Sequence, residues 1–250
     1  MPCVAWHDMR RMRAGVPCFA PVGGSTGHKW FACRQGQRMV FMLAFFSRFV
    51  KGIQSGYSDR ARTERFALFS RELQPTPGKR VLDVGAGQDF FEWFPFKDRL
   101  LVLNLLEWQG RRTWNGREVP HVIVGNGCRL PFKDQALDIV YSNATLEHVG
   151  KENWQAFADE VRRVGKSYWV STPNKWFPLD VHYHLPFFHF LPKGMQRWCA
   201  KAFGLDAHRS EVFLDTDLLT AEDLRRLFPD AKLVAQGAVI PFNWSAYKKP

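Results

Sequence analysis

Short apolar runs recur along residues 80–240, and turn-forming or helical stretches separate them. The runs are RVLDVGA, RLLVLNLL, HVIVG, LDIVYSN, SYWVSTP and KLVAQGAVI, starting at residues 80, 99, 121, 137, 167 and 232. Their length and nearly continuous hydrophobicity are typical of strands that are buried on both faces. Apolar residues at helical spacing predict helices between the strands, most clearly over 151–165 and 220–228. The alternation predicts an α/β fold with a doubly wound, mostly parallel sheet and a ligand at the carboxyl ends of its strands.

The chain before the first strand divides into two parts. Residues 1–40 are basic and without hydrophobic periodicity, which predicts a disordered extension or a gene start placed upstream of the true initiator. The pattern over residues 41–75 predicts N-terminal helices, and we expect residues 76–250 to form the main domain. Over 41–53 aromatic side chains lie opposite Arg48 and Lys51, as in a short amphipathic helix. We favour packing on its own domain for this helix, with peripheral membrane contact as the alternative.

The net charge of +11 is concentrated in the N-terminal part of the chain. Residues 1–58 hold eight Lys or Arg against the single acid Asp8, so the remaining 192 residues contribute only +4. The five cysteines form no CxxC pair, which indicates neither a zinc site nor a disulfide framework. The longest apolar run, residues 39–46, is far shorter than the roughly 20 residues needed to span a bilayer. These features predict a cytoplasmic protein without a transmembrane helix.

An acid and two glycines surround the first predicted strand-to-helix turn, in VLDVGAG. Gly85 and Gly87 permit positive φ and let the backbone approach a ligand. A dinucleotide fingerprint requires a third glycine, where this chain has Phe90, and an acid at the end of the second strand, where it has Asn104. Asp83, on the strand itself, would repel a pyrophosphate. The pattern therefore favours a cationic ligand over NAD, and S-adenosylmethionine (SAM) is such a ligand.

Two segments resemble class I SAM-dependent methyltransferases. VLDVGAG resembles the family's motif I, hhDhGxG with h apolar. Residues 125–149, GNGCRLPFKDQALDIVYSNATLEHV, resemble the GDxxxLPFxDxxFDxVxSxxxLEHV segment of type 11 methyltransferases. The resemblance implies a Rossmann-like, seven-stranded sheet whose last strand, NWSAYKK, is antiparallel. It also implies a lid-like insert after the fifth strand, here residues 173–210 and called the insert below, which is similar to a TPN-x-x-(Y/W)-FP-x-x-x-H element of a bacterial subgroup.

The resemblance also implies which residues bind SAM. The motif I positions would hold its methionine end, together with a residue at the end of the fourth strand. The end of the second strand would bind the ribose, and the Asn-Gly pair at 126–127 would bind the adenine. In this chain the implied cofactor-binding residues are Asp83, Gly85, Ala86, Gly87, Asn104, Asn126, Gly127 and Asn143. At Asn104 and Asn126 an amide replaces the family's usual acid, which removes the charge from two hydrogen bonds.

Methyl transfer needs in-line positioning and exclusion of water, and an oxygen acceptor can also use a general base. The candidate bases are His148 in LEHV and His182 and His184 in the insert. Asp180, His182 and His184 would share one face of an extended segment, a spacing that could also ligate a metal. We expect no metal, because the chemistry does not require one and His189 adds no defined geometry.

The insert is rich in aromatic residues, which would either cover an apolar acceptor or simply pack the long loop. We expect a small apolar or amphipathic acceptor and no DNA. RNA is the alternative substrate, encouraged by Arg60, Arg62, Arg65 and Arg71 ahead of the first strand. A non-catalytic binding module that has lost SAM affinity is an alternative of another class, motivated by the two acid-to-amide changes.

Overall fold

A computed structural model describes residues 60–85, 94–104, 121–180, 182–183, 185–202, 216–237 and 239–250, with two short strands at 113–114 and 117–118. All of them belong to the unit Gln54–Pro250. The expectations for residues 1–40 and for the amphipathic segment 41–53 lie outside the described residues, as do those for Ala86, Gly87 and His184.

A seven-stranded sheet in the order β5-β2-β1-β6-β7-β9-β8 forms the centre of the fold. Its strands are β1 (Val81–Val84), β2 (Leu100–Asn104), β5 (Val122–Val124), β6 (Leu137–Asn143), β7 (Gly165–Pro173), β8 (Lys232–Gln236) and β9 (Asn243–Lys248). The first five of these are parallel, and β9 runs antiparallel to both β7 and β8. This confirms the predicted doubly wound sheet with an antiparallel last strand. The sequence pattern did not predict the separate hairpin of β3 (Thr113–Trp114) and β4 (Arg117–Glu118).

Four α-helices lie in the described part of the chain. They are α1 (residues 60–73), α2 (Trp154–Val164), α3 (Lys193–Ala202) and α4 (Ala221–Leu227). Short 3-10 helices occupy Lys97–Arg99, Leu146–His148, Lys151–Asn153 and Phe188–Phe190. A capping box starts α4: Thr220 accepts a hydrogen bond from the backbone N–H of Asp223, whose carboxylate accepts one from the Thr220 backbone. None of these helices has the length and apolar character needed to cross a membrane.

Helix α2 shows why the pattern folds as it does. Trp154, Phe157, Ala158, Val161 and Val164 repeat at helical spacing, and all five are buried. Burying each of the large side chains contributes about 1.5–3 kcal/mol. The helix ends where Gly165 adopts an extended conformation and starts β7. The apolar stripe thus fixes α2 against the sheet.

The sheet carries a hydrophobic core on each face. Leu82 and Val84 of β1 belong to the core that includes α2 and α4. Val81 belongs to the opposite core, with Phe69 and Leu73 of α1. Because side chains alternate along a strand, Asp83 shares its face with Val81. The acid of motif I therefore points into the α1 side of the sheet.

The insert forms a small core of its own, in which Tyr183, Phe188 and Ala200 are buried. The expectation that Asp180 and His182 share a face of an extended segment is wrong. Asp180 Oδ1 accepts hydrogen bonds from the backbone N–H groups of His182 (2.9 Å) and Tyr183 (2.7 Å), so the chain turns there. The sequence reading also missed α3, although Pro192 directly before it is a typical start signal.

Candidate functional site

Polar residues end three adjacent strands at one edge of the sheet. Asp83 and Gly85 lie at the end of β1, Asn104 ends β2 and Asn143 ends β6. Strand β1 lies between β2 and β6, so these residues gather at the carboxyl edge where such sheets bind ligands. Backbone hydrogen bonds fix the edge, from the Gly85 N–H to the Leu103 carbonyl (2.8 Å) and from the Gly125 N–H to the Asn104 carbonyl (2.9 Å).

Asp83 carries an unsatisfied carboxylate in the interior of the protein. Its side chain is 1% exposed, and Oδ2 has no hydrogen-bond partner among the described residues. Burial raises the pKa of Asp83 well above its usual range. A buried carboxylate of this kind destabilises the protein when it ionises, unless a cation or a hydrogen-bond donor satisfies it. The position therefore fits a cationic ligand.

Gly85 has both a conformational and a packing reason to be glycine. Its φ of 76° lies in the left-handed region. A Cβ at this position would overlap the side chain of Thr145, whose Oγ1 donates a hydrogen bond to the Val84 carbonyl (3.2 Å). The start of the loop that follows β1 is thus locked to the segment after β6.

Arg65 reaches the same edge from α1. Its guanidinium donates hydrogen bonds to Asn143 Oδ1 and to Gln236 Oε1, the latter at 2.7 Å. Its charge offsets a small part of the rise in pKa that burial causes at Glu147. Sequence reasoning grouped Arg65 with surface arginines, because the helical pattern alone does not show that it faces the strand ends.

The second predicted nucleoside position, 126–127, forms a tight turn after β5. Asn126 Oδ1 accepts a hydrogen bond from the Cys128 N–H (2.9 Å), so the amide shapes the turn. A Cβ on Gly127 would press on Phe157 and Val84, so the backbone there packs closely on α2 and β1. Asn104 is partly exposed at the end of β2.

Two of the predicted histidines meet just beyond β6. The rings of His148 and His182 lie 5.3 Å apart between centroids, in an edge-to-face arrangement. Burial, and secondarily the charge of His182, lowers the pKa of His148 to about 3. His148 is therefore a neutral imidazole at physiological pH, able to accept a proton only weakly. His189 lies apart from the pair, with Nδ1 at 3.5 Å from Asp180 Oδ2 and Nε2 at 3.0 Å from the Lys175 carbonyl oxygen.

Glu147 stands next to this pair, and sequence reasoning missed it. Its side chain is fully buried, and Oε2 accepts a hydrogen bond from Thr172 Oγ1 (3.0 Å). Burial raises the pKa of Glu147 to about 7. A carboxylate directly beside a candidate histidine, in an otherwise apolar stretch, was the signal that could have revealed it.

The sheet order and the polar strand ends are those of a Rossmann-like methyltransferase fold. Residues 82–168 match the family model described as a methyltransferase domain. This match supports the resemblance to class I SAM-dependent methyltransferases and, with it, SAM-dependent methyl transfer as the reaction. No curated protein sequence matches the chain.

Several solved structures are similar to the chain at low sequence identity and with TM-scores below 0.5. A SAM-dependent methyltransferase from Aquifex aeolicus is 13% identical, with a TM-score of 0.43 over 74% of this chain and 87% of that chain. One from Archaeoglobus fulgidus is 14% identical, with a TM-score of 0.47 over 75% and 94%. The 1,6-didemethyltoxoflavin-N1-methyltransferase of Burkholderia thailandensis is 15% identical, with a TM-score of 0.45 over 94% of both chains.

Asp83→Asn is expected to stabilise the ligand-free protein, and increasingly so as the pH rises. The raised pKa of Asp83 means that its stabilising, protonated form is complete below the unfolded-state pKa of about 4 and is lost as the pH rises toward the folded-state pKa. Asn remains neutral, so the variant should gain roughly 1–3 kcal/mol at pH 8 and little at pH 4. Urea unfolding at both pH values measures the difference. The exposed Asp98→Asn is the control, and an Asp83→Asn variant less stable than wild type at pH 8 would contradict the assignment.

Proposed function

We propose that the protein transfers a methyl group from SAM to a small apolar or amphipathic acceptor, with Asp83 holding the cationic methionine end of SAM. The unsatisfied carboxylate of Asp83 at the sheet edge is the observation that carries this proposal. SAM supplies a methyl group on a positively charged sulfur. Its α-ammonium group would give Asp83 the cation that the surrounding protein lacks among the described residues, and would lower the pKa of the carboxyl.

The other polar residues of the edge suit the remaining groups of SAM. Arg65, held by Asn143 and Gln236, would bind the α-carboxylate, because a guanidinium pairs well with carboxylates. Asn104 would bind the ribose hydroxyls and Asn126 the adenine. Amides can make these hydrogen bonds, but with less strength than the acids they replace.

The insert supports an apolar acceptor. Trp176, Phe187 and Phe190 are 61%, 62% and 42% exposed, and Trp176 stacks on Phe190 with ring centroids 6.1 Å apart. His182 of the same insert lies against His148 at the sheet edge. The insert therefore lies beside the proposed SAM site, and its aromatic residues would help exclude water from a bound acceptor.

The arrangement of the arginines weighs against RNA as the acceptor. Arg60 pairs with Glu64 and Arg71 with Glu72, both at 2.9 Å, so acids on α1 neutralise two of the charges that suggested RNA. Arg65 faces the strand ends. Salt-sensitive retention of RNA by residues 54–250 would reverse this conclusion.

Calorimetric titration with SAM tests the proposed role of Asp83. Wild type should bind SAM, and Asp83→Asn should weaken binding by at least about 100-fold, because a buried ammonium would lose its charged partner. Binding by wild type should also tighten from pH 5 to pH 8, since the bound form requires the ionised carboxyl. Asp98→Asn should bind as wild type does; equal affinity of Asp83→Asn and wild type would overturn the role of Asp83.

Arg65→Met is expected to weaken SAM binding by about 10–100-fold, because it leaves the α-carboxylate without its cation. The matched control is Arg60→Met, which removes an exposed ion pair on the same helix. If Arg65 only ties α1 to the sheet, the variant will lower the unfolding temperature while SAM affinity stays within twofold. Calorimetry and thermal melts on both variants separate the two roles.

Asn104→Asp should tighten SAM binding by about 5–10-fold, because a carboxylate accepts hydrogen bonds from ribose hydroxyls more strongly than an amide does. S-Adenosylhomocysteine carries the same ribose and should gain equally. Adenine alone lacks the ribose and should not gain. A variant that binds all three compounds with wild-type affinity would remove Asn104 from the ribose site.

A further inference from the structure

Three side chains with metal-binding atoms converge where the insert meets the sheet edge. Glu147 and His148 follow β6, and His182 comes from the insert. One ligand atom from each lies within 4.8 Å of the other two. Three ligands at about 2.1 Å from a zinc ion lie roughly 3.4 Å from one another in tetrahedral geometry, so a small inward movement of the side chains would complete a site.

Glu147 supplies the strongest sign that something is bound there. Its Oε1 is buried and has no hydrogen-bond partner among the described residues, while Thr172 engages Oε2. A buried carboxylate oxygen without a donor is costly, and a metal ion satisfies it. One oxygen of the same carboxylate lies within 4.8 Å of a ligand atom of each imidazole, and imidazoles bind the same cations.

The backbone holds each ligand in place. The Glu147 carbonyl accepts a hydrogen bond from the Asp217 N–H (2.9 Å), and the His148 N–H donates to the Thr145 carbonyl (2.9 Å). His182 is fixed by the turn that Asp180 caps. The three ligands are thus held near one another by the fold, as a metal site requires.

We propose that Glu147, His148 and His182 bind a divalent transition-metal ion such as Zn²⁺. Two imidazoles and one carboxylate suit zinc and its neighbours, whereas Mg²⁺ prefers an all-oxygen set. This departs from the expectation of no metal, which considered only Asp180 and the histidines within the insert. Three protein ligands leave at least one coordination position open, which is typical of catalytic rather than structural sites.

The open coordination position of the metal ion has a consequence for the methyl acceptor. This consequence rests on the proposed function. The ion would bind an acceptor hydroxyl and lower its pKa, so that its proton passes to solvent. The oxygen would then form its bond to the methyl carbon as the carbon–sulfur bond of SAM breaks and the sulfur takes the electron pair. The acceptor class is thereby narrowed to amphipathic molecules that present a hydroxyl oxygen.

Titration of the metal-free full-length chain with ZnCl₂ tests the site. Wild type should bind Zn²⁺ at this site. In Glu147→Gln and in His182→Ala the affinity for one equivalent of Zn²⁺ should fall by about 10–100-fold. His121→Ala, which removes an exposed histidine, should change nothing. Residues 1–59 hold further cysteines and histidines, so the loss of one equivalent in the variants identifies this site. Co²⁺ as a probe should give visible absorption bands in wild type that both variants lack.

Two variants guard against a folding artefact. Gln at position 147 can keep the hydrogen bond to Thr172, and His182 lies on a turn that does not need its ring, so circular dichroism of at least one variant should match wild type. Zinc binding that is equal in wild type and both variants, or binding of Mg²⁺ alone, would overturn the proposal. SAM titrated into the same metal-free preparation separates the two ideas: SAM binding without zinc binding refutes the metal site alone, and zinc binding without SAM binding refutes the proposed function alone.

Discussion

The proposed function depends on one constraint, the buried carboxylate of Asp83 at the end of strand β1. Asp83 lies between β2 and β6, shielded from water and without a donor on Oδ2 among the described residues. Such a group lowers the stability of the protein when it ionises, and the ammonium group of SAM would offset that cost in the proposed function. The neighbouring hydroxyls of Ser142 and Thr145 donate to the Val84 carbonyl, and Asp83 Oδ2 has no partner among the described residues.

Charge is distributed around this edge in a way that suits a zwitterionic methionine group. The negative Asp83 and the positive Arg65 approach the edge from β1 and α1, on the same face of the sheet. Arg65 is fixed by two neutral amide oxygens, from Asn143 and Gln236, so its charge is oriented without being neutralised by them.

The sequence pattern predicted the sheet well because each parallel strand is a continuous apolar run, and LDIVYSN coincides with β6 at both ends. The antiparallel last strand followed from the family resemblance and is confirmed. The pattern did not predict features that depend on long-range packing or on side-chain capping. In the sequence Arg65 is one of several arginines along α1, and only the tertiary structure shows that it faces the strand ends. The turn at Asp180 was missed because side-chain capping competes with an extended conformation and leaves no periodic signal.

The contact between the two histidines is another feature that depends on long-range packing and that the sequence pattern did not predict. His148 and His182 were separate candidates in sequence, and their contact depends on the insert folding back to the segment after β6. His148 is a poor general base, since burial lowers its pKa to about 3. The carboxylate of Glu147, which has one unsatisfied oxygen and a ligand atom close to both imidazoles, marks the place where a bound cation would activate an acceptor hydroxyl.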